Sequence, residues 1–350
     1  MTASAVRKGV QHGHQRASRV TIADIARTAQ VAKSSASYAL NGRPGVADAT
    51  RERVVAVAEA MGWRPNCAAR ALSAARADAV GLVIAQSPET LGFDTFLLRF
   101  IAGLEQELSR HDLALLLRVV ADPEAEVEVH RRWSAEHRVD GVIVFNQRIV
   151  DARPAQLDRM GLPSIVVGVP NGITPAVWSD DEAAMAAAVE HLVSMGHRRI
   201  ARVGGNPDFL YTQVRRAAFF TAARAAALDP GDVIDSGLRG EAATRELLGS
   251  ARPPTAIVYE DDVSAAAAVA TARQLGYSIP ADLSIVGWDD SLLCELVQPP
   301  LTALHRDISR YGGLSARHLV TVIEGGRPGD LPGTQTRLIV RGSTGPPPAG

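Results

Sequence analysis

From residue 79 onward the chain alternates short apolar runs with stretches of helical periodicity, and few architectures can absorb such a pattern. The runs fall at 80–85, 113–119, 141–145, 164–169, 199–203, 255–259 and 283–288, with helical candidates such as 96–108, 182–195, 211–227 and 263–275 between them. Strands alternating with helices make parallel sheets covered by helices. The stretch is too long for one ordinary sheet, and the pattern restarts near Arg199. The expected core is therefore α/β, with two similar lobes and a cleft between them. Three carboxylate pairs, Asp180-Asp181, Asp261-Asp262 and Asp289-Asp290, stand just after or near apolar strands. Ligands bind at the carboxyl ends of parallel strands. Helix N-capping accounts for each pair as well, and both readings stay open here.

Composition narrows the class. At 350 residues the chain has room for two or three domains, and its 46% hydrophobic and 21% charged content is that of an ordinary soluble globular protein. This excludes a collagen, a fully disordered chain and a disulfide-stapled mini-protein. No apolar run approaches the roughly 20 residues that span a bilayer. The opening MTASAVRKGVQHGHQR has no apolar core or small-residue cleavage site, so a secretory signal is not expected and a cytoplasmic location is. Cys67 and Cys294 cannot build a disulfide framework, which suits a reducing compartment. No cofactor or metal is expected. No G-x-G-x-x-G follows a strand, and no phosphate loop of the form G-x-x-x-x-G-K-[ST] occurs. Gly313 to Arg317 starts like a nucleophile elbow but lacks the second glycine. His12 and His14 have no further ligands nearby.

The net charge of -1 hides an asymmetry: residues 1–76 carry twelve basic and four acidic side chains, leaving -9 on the rest. A basic head on an acidic body points to a polyanionic partner for the head alone. After an aperiodic, polar segment at 1–18, expected to be disordered, Thr21 can cap a helix with Ile22, Ile25 and Ala26 on one face. A second helix reads over 33–40, then a turn at Asn41-Gly42-Arg43-Pro44-Gly45. A third runs over 49–61 with Val54, Val55, Ala58 and Met61 on one face, and Trp63 completes the small core. This is a helix-turn-helix unit over 19–63, followed by a hinge and linker at 64–78, the core at 79–344 and a Pro-rich tail at 345–350.

These residues carry a resemblance. Thr21-Ile22-Ala23-Asp24-Ile25-Ala26 and Val31 to Gly42 resemble the headpiece of the LacI/GalR family of transcriptional repressors, and Arg64-Pro65-Asn66 through Ala71-Leu72 resembles its hinge helix. Val139 to Ile143, Glu190-His191-Leu192 with Gly196 to Ile200, Ile285 to Asp290, Pro299 to Thr302 and Val340 to Thr344 match in the expected order. The resemblance covers about residues 19–344. It implies a small all-α headpiece on a two-lobed, periplasmic-binding-protein-like core, two parallel sheets with flanking helices. It implies a homodimer on a palindromic operator in double-stranded DNA, answering to a small effector, expected to be a sugar or glycoside, and not an enzyme. A periplasmic-type sugar carrier would lack the basic headpiece, and an α/β sugar-processing enzyme would need a catalytic constellation that the chain does not show.

The resemblance also assigns residues. Lys33, Ser34 and Tyr38 match the family's base-reading positions, and Thr21, Ser35, Ser37 and Asn41 suit phosphate contacts. It implies a minor-groove wedge at Leu72, with the small Ala69 facing the groove. In the effector cleft it points to Arg215 and Asp289, with Asp180, Glu260 and a stacking face from Trp288 or Trp178. An ion pair between Arg215 and one of the acids is the alternative. Several positions depart from the family pattern: Gln30 for glycine, Ala32 and Ala47 for capping residues with Asp48 as a substitute cap, Ala218 for glycine, Glu260 for an amide and Gly168 for a polar side chain.

Overall fold

A computed structural model describes residues 20–63, 76–86 and 95–349. The chain divides into two compact units, Met1–Ala75 and Arg76–Gly350. In the first, helices α1 (Ile22–Thr28), α2 (Lys33–Leu40) and α3 (Asp48–Ala60) bury Ile25, Ala26, Ala36, Ala39, Val54 and Ala58. Val57, Met61 and Trp63 pack around that core, whereas Val55, expected on the same face, is exposed. Thr21 closes a capping box: the Asp24 N–H donates to the Thr21 hydroxyl, and the Thr21 N–H donates to the Asp24 carboxylate at 3.0 Å. Helices α2 and α3 start at Ala32 and Ala47 without a side-chain cap. Asp48 does not replace the cap, because it is already the first helical residue; there its charge faces the positive end of the helix. Gln30 adopts φ 53° in the turn between α1 and α2, a left-handed conformation that glycine takes without steric cost. Arg51 donates to the carbonyls of Ala39 and Arg43 at 3.2 and 2.8 Å, so one of the basic side chains serves the fold.

The second unit contains two six-stranded sheets. The first has the order β11 (Leu331–Pro332), β5 (Ala176–Trp178), β4 (Ser164–Val167), β3 (Gly141–Val144), β1 (Ala79–Ala85), β2 (Ala114–Val120), all parallel. The second has the order β12 (Arg337–Ile339), β10 (Thr302–His305), β9 (Ser284–Trp288), β8 (Ala256–Tyr259), β6 (Ile200–Val203), β7 (Val233–Ser236), parallel except for β12. In the first sheet Leu82 of β1 stands between Leu117 of β2 and Ile143 of β3. Helices α4 (Thr95–Leu108), α5 (Pro123–Ala135), α6 (Arg153–Met160) and α12 (Ile308–Ile323) cover that sheet. Helices α7 (Asp181–Ser194), α8 (Leu210–Ala225), α9 (Gly240–Leu248) and α10 (Asp262–Gln274) cover the second, with the short α11 (Leu293–Leu296) beside them. The central strands β3, β4, β6, β8 and β9 are wholly buried, as sheets covered on both faces require.

The chain crosses between lobes three times: from β5 to α7, from β10 to α12 and from β11 to β12. Strands β5, β7, β10, β11 and β12, two to four residues each, have no counterpart among the runs read from sequence. Runs of two or three residues are too short to show a periodicity, and the four-residue β7 (VIDS) and β10 (TALH) mix polar with apolar side chains. Residues beyond 344, read as a tail, pack on the second lobe: the Gly345 carbonyl lies 2.9 Å from His197 Nε2, and the Gly345 N–H donates to Ser284 Oγ at 3.0 Å. Among the described residues no helix is long and apolar enough to cross a membrane, and no group of three or more side chains is placed to hold a metal ion.

His130 on α5 is buried, and burial together with the nearby Arg153 pushes its pKa down from 6.5 to about 4. The unfolded chain therefore binds a proton below pH 6.5 that the folded chain refuses until about pH 4. Stability is expected to fall as the pH drops through this window, by up to about 3 kcal/mol from this residue. Denaturant unfolding at pH 7 and pH 4.5 checks this, and His130→Gln should flatten the dependence.

Candidate functional site

The carboxyl ends of both sheets open onto one cleft of about 640 Å³. Phe145, Asn146 and Gln147 reach it from the end of β3, Gly168 from β4 and Ser179 from β5. From the other lobe come Gly205 after β6, Arg239 after β7, Glu260 and Asp262 after β8, Asp289 after β9 and Arg306 after β10. This is where parallel sheets leave loops and helix starts free to meet a ligand. The aromatic walls are Phe96, Phe145, Phe209, Tyr211 and Tyr311.

Two buried ion pairs organise the chemistry. Arg215 on α8 donates from Nε to Asp181 at 2.6 Å and from Nη1 to the Glu260 carbonyl at 3.3 Å. Its guanidinium lies 4.0 Å from the centre of the Trp288 ring and 4.9 Å from that of Tyr211. Arg306 donates from Nε to Asp289 at 2.6 Å and from Nη1 to Ser179 at 3.3 Å, and stacks 4.6 Å over Phe96. Burial alone would lower the Arg215 pKa, but the surrounding Asp181, Glu260 and Asp289 outweigh it and raise it. Burial likewise works to raise Asp181, and Arg215 and Arg306 more than reverse it. Arg215 thus stays charged, and both arginines are paired.

Each carboxylate pair divides its work. Asp180 caps α7, accepting from the Ala183 N–H at 2.9 Å, while Asp181 turns into the cleft. Asp261 caps α10, accepting from the Ser264 N–H at 2.6 Å, while the Asp262 carboxylate takes the Thr95 hydroxyl at 3.2 Å and the Ser291 N–H at 3.1 Å. Burial pushes the Asp262 carboxyl up, and Asp289 adds to the shift. Asp289 and Asp290 both take left-handed conformations, φ 73° and 48°, so consecutive side chains part. Asp289 meets Arg306, and Asp290 meets Arg341 at 2.6 Å and His305 at 3.0 Å. Such non-glycine strain costs about 1–3 kcal/mol per residue and collects at ligand sites.

Of the effector residues expected from sequence, Arg215, Glu260 and Asp289 line the cleft. Asp180 instead acts as the helix cap, with its neighbour on the cleft. Trp288 is fully buried behind Arg215 and offers no stacking face, and Trp178 is not part of the lining either. Glu260 is held from behind by Arg202, whose Nε donates at 2.6 Å, and by the Gly205 N–H at 3.3 Å. Burial pushes its carboxyl up against the pull of Arg215 and Arg202. Arg306 and the five wall aromatics were not anticipated as ligand-facing, whereas Asp181 and Asp262 belong to the pairs whose ligand and capping readings both stood open. For Arg306 the usable signal was a charged residue ending a short apolar stretch just before the Asp307 cap.

In the headpiece, α2 turns Ala36 and Ala39 inward and leaves Lys33, Ser34 and Tyr38 exposed. Ser35 and Ser37 are half-buried, and Asn41 Nδ2 donates to the Ser37 carbonyl at 2.8 Å. Thr21 is engaged in its capping box. Ala69 and Leu72 lie outside the described residues.

A three-helix headpiece with polar and basic groups on the outer face of its second helix, joined in sequence to a two-lobed binding core, defines a DNA-binding regulator. Residues 21–66 match the bacterial regulatory proteins of the lacI family, and residues 189–344 match a periplasmic binding protein-like domain. The HTH-type transcriptional regulator AglR of Rhizobium meliloti is 33% identical over 349 residues, 94% of this chain and 95% of that one. The HTH-type transcriptional regulator CelR of Thermobifida fusca is 31% identical over 325 residues, 89% of this chain and 94% of that one. A solved CelR–cellobiose complex is 29% identical, with a TM-score of 0.70 over 93% of this chain and 100% of that one. The chain belongs to the LacI family of bacterial regulatory proteins and is a transcriptional regulator, not an enzyme.

Proposed function

We propose that this regulator is a cytoplasmic repressor that grips a palindromic operator as a homodimer and changes that grip when a neutral sugar or glycoside binds in the cleft. The observation that carries the ligand class is the internal pairing of Arg215 with Asp181 and Arg306 with Asp289. With these charges paired, the cleft offers fixed donors and acceptors beside aromatic rings, which matches hydroxyls better than a multiply charged anion. The cellobiose bound to the related CelR supports the same class. On the DNA side, Lys33, Ser34 and Tyr38 read bases, and Thr21, Ser35, Ser37 and Asn41 set register on phosphates. Leu72 wedges the minor groove beside Ala69, a role that rests on the family resemblance alone. Exposed Leu98 on α4 with Leu117 and Val119 on the outer strand β2, and Leu292 and Leu296 by α11, supply apolar surface for the second copy.

Titration of labelled DNA from beside the gene tests the reading. Affinity should fall steeply with salt, as expected when a basic headpiece displaces counterions. Lys33→Ala should alter base preference at one symmetric pair of positions by about 1–3 kcal/mol. Leu72→Ala should weaken binding while leaving the unfolding of residues 76–350 unchanged. A sugar that raises the thermal midpoint should also shift operator affinity, since coupling requires different affinity for two states. Salt-independent DNA binding, or a bound sugar that leaves operator affinity untouched, contradicts the corresponding half.

A further inference from the structure

We propose that Gln147 is a specificity-determining residue that accepts a hydrogen bond from an effector hydroxyl, and that Arg153 is the positioning residue that aims it. The inference rests on the neutral-sugar reading of the cleft. Gln147 is 6% exposed and lines the cleft, yet among the described residues its Oε1 has no hydrogen-bond partner. A buried acceptor left unmet is a substantial cost, and a hydroxyl donor entering the cleft removes it. Gly168, at the end of the neighbouring strand β4, makes room: a Cβ there would stand 2.9 Å from Gln147 Oε1. Any larger side chain at 168 would displace the amide, and φ 149° at that position already favours glycine.

The loop carrying Gln147 is held from outside the cleft. Arg153 uses all five of its guanidinium donors. Nε donates to Asp151 at 2.9 Å; Nη1 donates to Glu126 at 2.5 Å and to the Phe145 carbonyl at 2.9 Å. Nη2 donates to Asp151 at 2.6 Å and to the Asn146 carbonyl at 3.0 Å. Asp151 also takes the Arg148 N–H at 3.2 Å, and the second Glu126 oxygen takes Arg148 Nη2 at 3.2 Å. Glu126, Asp151 and Arg153 are themselves absent from the cleft lining. Their fork-shaped network therefore acts on the two carbonyls immediately before Gln147, a geometry that a lysine cannot reproduce. The same loop joins the lobes: the Leu210 N–H donates to the Gln147 carbonyl at 2.8 Å, and the Ile149 N–H donates to the Asp208 carbonyl at 3.2 Å. Gln147 thus meets the ligand with its side chain and the other lobe with its backbone.

The test is calorimetric titration of the full-length chain with glucose, galactose, cellobiose, maltose, lactose and raffinose. Gln147→Ala should weaken the best-bound sugar about tenfold or more and change the rank order of the six, with the thermal midpoint of the free protein unchanged. Arg153→Lys should weaken the same sugar and change the rank order in the same way, with a lower thermal midpoint, and the double variant should bind no more weakly than Gln147→Ala alone. If Arg153→Lys does not fold, Asp151→Asn takes its place with the same expectation. Wild-type affinity and ranking in Gln147→Ala, with binding lost in Arg215→Ala, would overturn this inference and leave the sugar reading standing. Additive losses in the double variant would overturn the positioning role of Arg153. Failure of the wild type to bind any of the six would overturn the sugar reading and this inference with it.

Discussion

Replacing Arg215 with alanine is expected to abolish sugar binding and to destabilise the second lobe by about 3–5 kcal/mol, the usual loss when one partner of a buried ion pair is removed. Arg215 is 3% exposed and meets Asp181 at 2.6 Å, so its loss leaves that buried carboxylate without its main partner. Arg306, 4.0 Å from the other Asp181 oxygen, compensates only in part. Stability and function separate in a second variant. Arg215→Met with Asp181→Asn removes both charges and keeps most of the volume, so it should recover most of the lost stability. It should not recover sugar binding, because the fixed donors are gone. Denaturant unfolding and calorimetric titration of the two variants check this, and a double variant that binds as the wild type does would show that Arg215 only holds the fold.

The second large effect is expected where no ligand is touched. Helices α4 and α12 cross backbone against backbone: a Cβ on Gly103 would lie 1.8 Å from the Ser309 carbonyl oxygen, and one on Gly312 would lie 2.2 Å from that of Phe100. Gly312→Ala must push the helices apart, at a cost of about 3 kcal/mol. Because α4 carries Thr95, Phe96 and Arg99 and α12 carries Tyr311, that shift also misplaces one wall of the cleft, and sugar affinity should fall with stability. The next residue gives the opposite result. A Cβ on Gly313 meets nothing closer than 3.5 Å, so Gly313→Ala should be neutral or gain up to about 1 kcal/mol from helix propensity. Thermal and denaturant unfolding of the two alanine variants compare them directly. Equal effects would mean that the helix crossing is not backbone-limited.

The division between what was legible in the sequence and what was not follows the range of the forces involved. The bounds of helix α2 could be read to the residue, and Lys33, Ser34 and Tyr38 were legible through family resemblance; the structure turns them outward and Ala36 and Ala39 inward. Strands β1, β3, β4, β6, β8 and β9 were visible because each is a nearly continuous apolar run, and their alternation with helices implied two parallel sheets with a cleft at the carboxyl ends. Arg215 and Asp289 were legible through family resemblance, and the Asp pairs through their position after strands. What only the tertiary structure decided was direction. Capping geometry spends the first aspartate of two pairs on a helix N-terminus and turns the second to the ligand. The left-handed backbone at Asp289 and Asp290 sends one carboxylate to Arg306 and the next to Arg341. Trp288 looked like a stacking face, but Arg215, 73 positions earlier in the chain, covers it. Local sequence sets which side chains stand at a strand end; contacts between residues far apart in the chain set which of them meet one another and which remain free to meet a ligand.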